Sequence, residues 1–207
     1  MITETDKDIL WKAGAAIDCD GSPRAYGPHN SGLDYTANAG SPGSYYGILT
    51  DSNGEPLIQN SNDPCPGMYI SPSSLQDKGY KVTDPRRYVD AETVPYIAVP
   101  KDALKLHNVK LGDICVVYNK LTDLHCFGVV ADAGPTGKWS GELSIAMGKS
   151  IGIKNVSPRN GGQSSGITYL VFRGSSLGWP RMPAEINDQA EALLAAFGGL
   201  DKVKSQS

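Results

Sequence analysis

Two β-rich runs separated by five polar-leaning residues constrain this chain more than any other feature. "DICVVYN" (113–119) and "HCFGVVAD" (125–132) are dense in Val, Ile, Cys, Phe and Tyr, and "KLTDL" joins them. β-Branched and aromatic residues at this density fit a pleated surface, and the short linker makes the pair a hairpin. Further strands are expected at "GMYIS" (67–71), "VPYIAVP" (94–100) and "GITYLVFRG" (166–174). With Gly 24 and Pro 14 among 207 residues, the chain is punctuated often, which suits many short strands joined by loops. The expectation is a mainly β fold, a small barrel in preference to a sandwich, forming one domain over residues 1–207.

Helical signals are few. "SIAMGKSIG" reads as a short helix with Ser144 as N-cap, which leaves Glu142 just outside it. "PAEINDQAEALLAAFGG" (183–199) carries Ile186, Ala190, Leu193, Leu194 and Phe197 on one face and is closed by Gly198. The first twelve or so residues are expected to form a helical turn capped at Thr3. "AAIDCDGSPRAYGP" reads as a short strand, a turn and another extended piece. Residues 28–66 are rich in Gly, Asn, Ser and Pro, and a loop that long in a compact domain is often functional.

Composition removes several classes of function. The formal charge of −3 argues against nucleic acid, whose binding needs basic patches facing phosphates. No apolar run reaches the roughly 18–20 residues that span a bilayer. The opening "MITETDKDILWKAG" has neither a basic nor an apolar region of a secretory signal. Cys19, Cys65, Cys115 and Cys126 show no C-x-x-C spacing, so no zinc site is expected; their even number permits two disulfides without requiring them.

The candidate chemistry lies in "GVVADAGPTGKWSGELSIAMGKSIG" (128–152), where an apolar strand ends on Asp132 and a second acid, Glu142, follows a Gly-Pro turn. Two carboxyls of this kind are what glycoside hydrolysis needs, one to protonate the leaving oxygen and one to activate water or attack the sugar. Trp139 between them offers a stacking face for a sugar or an apolar wall that raises a carboxyl pKa. The plainer reading is a turn entry and a helix start, and spacing alone favours it. Asp18 and Asp20 in "DCD" would share a face on a strand. They suit a turn entry before Gly21 first, and a cation site or a second catalytic contribution after that. Tyr45, Tyr46 and Tyr69 could line a sugar cleft, although scattered loop tyrosines usually pack. His29, His107 and His125 have no ligand spacing. "GQSSG" and "RGSSLG" lack the serine-hydrolase form, and "RNGG" (159–162) precedes a strand, so it is no phosphate loop.

Taken in order, "AIDCDGSPRAYGP", "GLDYTANAG", "DPCPGMYISPSSL", "RYVDAETVPYIAVP", "GVVADAGPTGKWSGELSIAMGKSIGI" and "GGQSSGITYLVFRGSS" resemble glycoside hydrolase family 75, the chitosanases, over about residues 15–178. The block "VVADAGP…ELSIAMGKSIG" is also similar to double-psi β-barrel proteins, including expansins and some lytic transglycosylases. The resemblance implies a six-stranded double-psi-like barrel with two or three short helices. It implies endo-cleavage of β-1,4 bonds in chitosan with inversion, no cofactor, and secretion. The family's acids, an Asp at a strand end and a Glu in a "GE(A/L)S" stretch, fall on Asp132 and Glu142. Glu142 is expected as general acid and Asp132 as the second carboxylate, with the reverse left open. Asp18 and Asp20 would add negative potential for protonated amino sugars, with Trp139 and Tyr46 as further substrate contacts. The partner is a polysaccharide, neither nucleic acid nor membrane, and a monomer is expected. The loop between the acids is shorter than in the fungal chitosanases. A peptidoglycan-cleaving muramidase or lytic transglycosylase-like enzyme, delivered as a toxin, and a non-catalytic carbohydrate-binding barrel are the rival readings.

Overall fold

The computed structural model describes residues 2–137 and 139–207. Strand β1 (Ile2–Glu4) turns back into β2 (Asp8–Asp18) as an antiparallel hairpin. The helical turn expected here does not form. The Thr5 hydroxyl accepts from the backbone N–H of Lys7 and Asp8, which closes a hairpin turn instead. The apolar residues that follow alternate with period two: Ile9, Trp11, Ala15 and Ile17 face inwards, and Leu10 faces out.

The remaining strands are β3 (Gly40–Ser41), β4 (Ser44–Tyr45), β5 (Tyr96–Pro100), β6 (Ile114–Asn119), β7 (Leu124–Gly134), β8 (Glu142–Ser144) and β9 (Gln163–Phe172). β3 and β4 form a separate small hairpin. Six strands close on themselves in the order β2-β8-β5-β7-β6-β9, with β9 returning to β2, so the expected six-stranded barrel is present. Its pairing repeats about a two-fold. β2 runs parallel to β8 and antiparallel to β9, as β7 runs parallel to β5 and antiparallel to β6. The β5–β8 and β6–β9 contacts are both antiparallel.

The inside of the barrel is filled by Ile9, Trp11, Ile17, Ile97, Val99, Cys115, Val117, Val130, Leu143, Ile167, Tyr169 and Val171. A second apolar layer lies outside, where Leu10, Val116, Val129 and Leu170 meet Ile186, Ala190 and Leu194 of α3 (Pro183–Phe197). α1 (Ala103–Leu106) and α2 (Ile145–Ser150) are short, and α4 (Gly199–Ser205) follows α3. Gly198 separates α3 from α4 at φ 117°, a left-handed position that suits glycine. The helix expected over 183–199 forms as α3 with Gly198 closing it, and the unexpected α4 follows directly.

"GMYIS" (67–71) does not form a strand. Pro66 and Pro72 bracket it, and its backbone bonds singly to other loop segments: Ile70 N–H to Leu57 O, and Ile70 O from Leu49 N–H. All four cysteines are free thiols. The long connection between β2 and β5 lies against one end of the barrel, where it supplies one wall of a cleft.

Candidate active site

Register places the two acids of the 128–152 block. Glu142 on β8 pairs with Ala16 of β2 on one side and Ala98 of β5 on the other, and Ala98 in turn pairs with Asp132 of β7. The row across the barrel wall thus reads Ala16, Glu142, Ala98, Asp132. Paired residues share a face, and the neighbouring row (Ile17, Leu143, Ile97, Val130) faces the barrel interior. Both acids therefore stand on the outer face, with only a methyl group between them.

Asp132 reaches that face through a bulge. Val130 points inwards, so unbroken alternation would turn Asp132 inwards too. The β5–β7 register slips between Ile97 and Ala98, leaving Ala131 as the extra residue and re-aiming Asp132 outwards. The segment 72–76 holds the bulge in place. Leu75 N–H donates to the Ala131 carbonyl at 2.8 Å. Ser74 donates its backbone N–H (3.0 Å) and its hydroxyl (2.5 Å) to Asp132 Oδ1.

Glu142 is set by the turn into α2. Ser144 caps that helix as expected, accepting from Met147 N–H at 3.1 Å. It also donates to Val94 O and accepts from Tyr96 N–H, so β8 and β5 are locked beside the acid. The Glu142 carboxyl lies over Gly134, where an added Cβ would stand 3.1 Å from Oε2. Among the described residues it has no hydrogen-bond partner.

These side chains open into a cleft of about 690 Å³, whose lining includes Asp18, Asp20, Asp132 and Glu142. Asp18 ends β2 and Asp20 begins the turn that follows, so the expected turn entry is present and both residues line the cleft. Asp18 accepts Asp20 N–H at 2.8 Å and meets the Tyr96 hydroxyl at 3.0 Å. Asp20 accepts from Tyr26 at 2.9 Å and from Ser71 at 3.2 Å, both on Oδ1. Lys101 is the one basic side chain among the described lining residues.

With Asp34 the recess is lined by five carboxyls, and Asp18, Asp20 and Glu142 do not ionise independently of their neighbours. Burial, then the Asp132 charge, push Asp20 up to about 8, against the hydrogen bonds from Tyr26 and Ser71. Burial, followed by the neighbouring acids, drives Asp18 well above the carboxylate range. Glu142 is raised by burial and then by the Asp132 charge. A raised carboxyl holds a proton that it can give away, as a general acid must.

Tyr46, 74% exposed, stands at the cleft rim with its hydroxyl donating to Asn38 O. Trp139 lies elsewhere. It packs edge-on against Trp11 and His107, with ring centres at 4.8 and 5.3 Å, and covers the end of the barrel core. Tyr45 and Tyr69 pack against the core. Ser74, Tyr26 and Tyr96 were not singled out by sequence reasoning. Ser74 meets Asp132 across 58 residues and Tyr96 sits in a strand whose apolar pattern hides its polar tip, while Tyr26 reaches Asp20 through a turn only six residues long that the loop sequence does not mark. Among the described residues no group of three or more His, Cys, Asp or Glu side chains is arranged to hold a metal ion.

The family model described as the fungal chitosanase of glycosyl hydrolase group 75 matches residues 16–198 of the chain. A comparison with curated proteins finds no match.

Proposed function

The chain belongs to glycosyl hydrolase group 75, a glycoside hydrolase family acting on chitosan, and from that premise we propose that it cleaves β-1,4 bonds inside chitosan chains with inversion, using Glu142 as general acid and Asp132 as general base. The observation that carries this reading is the row Glu142–Ala98–Asp132. It sets the two acids on one face with two strand spacings, about 9–10 Å, between their backbones and no bulky side chain in the gap.

Such a gap accommodates a sugar and a water together. Glu142, protonated, gives its proton to the glycosidic oxygen as the bond from C1 breaks. Asp132, oriented through Oδ1 by Ser74, takes a proton from a water that attacks C1 from the opposite side of the ring. The products are a new reducing end of inverted configuration and a free hydroxyl on the leaving sugar. At the end of the step Glu142 is ionised and Asp132 protonated, and one proton exchanged through solvent restores the pair. Asp20 and Tyr46 contribute to substrate binding, the first through charge.

Chitosan is a polymer, so the enzyme meets it outside the cell, and secretion is part of the proposal. Among the described residues no helix is long and apolar enough to cross a membrane. The test is reducing-end release from chitosan, chitin and peptidoglycan measured side by side with wild type, Asp132→Asn and Glu142→Gln. Release from chitosan that both variants lose supports the reading. Binding without release would make the barrel a carbohydrate-binding module, and preference for peptidoglycan would make it a cell-wall enzyme.

A further inference from the structure

The Tyr96 phenol has one proton and two oxygen neighbours at bonding distance, the Asp20 carbonyl at 2.9 Å and Asp18 Oδ2 at 3.0 Å. A carbonyl oxygen can only accept. If the phenol gave its proton to Asp18, its own oxygen would stand against the Asp20 carbonyl with no hydrogen between them. If it gives its proton to the carbonyl, the contact with Asp18 needs a hydrogen from Asp18. Only the second arrangement satisfies both contacts. Asp18 is 8% exposed, and the titratable groups that face it are Cys19, Asp20, Tyr26, Tyr96, Asp132 and Glu142, none of them basic.

We propose that Asp18 is a neutral carboxylic acid that donates to Tyr96 Oη, and that this pair positions Asp20 as the carboxyl that meets the ammonium group of a glucosamine unit. This deepens the chitosanase reading and rests on it for the substrate. The clamp is complete on the Asp20 backbone: its N–H goes to Asp18 Oδ1 and its carbonyl takes the Tyr96 proton. Its side chain is held through Oδ1 by Tyr26 and Ser71, and Oδ2 has no partner among the described residues. Burial and the neighbouring acids, which raise Asp18, agree with a proton on it. Asp18 is on this account a positioning residue, and Asp20 is the carboxyl that ionises as the substrate ammonium binds.

An amide at position 18 reproduces the bonding of a carboxylic acid, accepting through Oδ1 and donating through Nδ2. The first measurement is infrared difference spectroscopy between wild type and Asp18→Asn at neutral pH, which needs no substrate. The carbonyl stretch of a protonated carboxyl is expected in wild type and missing from the variant. The second is the pH profile and salt dependence of kcat/KM on chitosan. Asp18→Asn should leave both limbs and the salt slope where they are, whereas Asp18→Leu and Tyr96→Phe should raise KM about tenfold or more, with a smaller effect on kcat. If Asp18→Leu does not fold, Tyr96→Phe carries the same comparison. Absence of the protonated-carboxyl band, or an Asn variant whose acidic limb moves and whose salt slope falls, would overturn the proposal. Lack of any chitosan hydrolysis by wild type would strike the substrate reading and leave the spectroscopic result standing.

Discussion

Asp132 and Glu142 flank the same residue, Ala98, from two different strands of the barrel. That shared neighbour ties their separation to the sheet rather than to the loop that connects them in sequence. Each acid is anchored by its own ladder pairing, Glu142 to Ala16 and Ala98 and Asp132 to Ala98.

If the two acids act as proposed, Asp132→Asn and Glu142→Gln should each lower turnover on chitosan by about 100-fold or more, the scale of lost acid–base catalysis. Folding should persist, because both side chains face the cleft and neither fills the core. Thermal unfolding read beside kcat separates the two effects, and near-wild-type turnover in either variant would remove that residue from the pair.

The supports of the acids make a subtler expectation. At Gly134 an alanine Cβ would stand 3.1 Å from Glu142 Oε2, so the carboxyl must move by a few tenths of an ångström. Ser74→Ala takes one of two donors from Asp132 Oδ1. Each change should cost about tenfold in kcat with KM less affected, since small misplacements of reacting groups are expensive. Loss of stability in place of loss of kcat would make these contacts purely architectural.

The strand runs at 94–100, 113–119, 125–132 and 166–174 carried much of the barrel in plain view, and the Ser144 cap was equally legible. Three things were hidden. The bulge at Ala131 cannot be read from "GVVADAG", because its cause is a register slip against β5 and a hydrogen bond from Leu75. The grip of Ser74 on Asp132 spans 58 residues of sequence. Trp139 sits between the acids in sequence yet packs on Trp11, because an exposed indole beside an open barrel end gains more by covering it. The N-terminal hairpin was missed for a local reason: Thr5, not Thr3, makes the side-chain bonds.

Stability should depend on pH through the buried acids. Asp20 rises from 3.8 to about 8 on folding, so between those values the folded state holds a proton that the unfolded chain has lost. Its contribution is fully present below about pH 4 and is lost as pH rises through about 8. Asp18 and Glu142 shift in the same direction. The melting temperature should therefore fall from mildly acidic to mildly alkaline pH, and Asp20→Asn should flatten that slope. A melting temperature that climbs across this window would contradict the protonation assigned to the cluster.

Stereochemistry gives an independent check on the spacing. Inverting enzymes hold their carboxyls roughly 6.5–9.5 Å apart and retaining ones about 5–5.5 Å. The Ala98 gap favours the wider class, so proton NMR of the first product should show the inverted anomer. A retained anomer would require Asp132 to close on C1 as a nucleophile, and the proposed water would have no place.

Substrate choice follows from the same charges. A glucosamine unit with a protonated amine brings a cation to a cleft whose acids raise one another's proton affinity. That cation favours the ionised form of Asp20, so binding near neutral pH should release protons, measurable by calorimetry in buffers of different ionisation enthalpy. N-acetylated units bring no charge and give no such release. Cleavage should accordingly fall as the acetylation of the polymer rises. Added salt should weaken apparent affinity for chitosan, as the Debye length shrinks from ~30 Å at 0.01 M to ~10 Å at 0.1 M. The part of the attraction made in direct contact with Asp20 is screened least, so the salt effect should level off above zero affinity and Asp20→Asn should remove most of what remains. Equal rates on chitosan and highly acetylated chitin, at any salt, would show that recognition rests on the sugar rings and not on their amines.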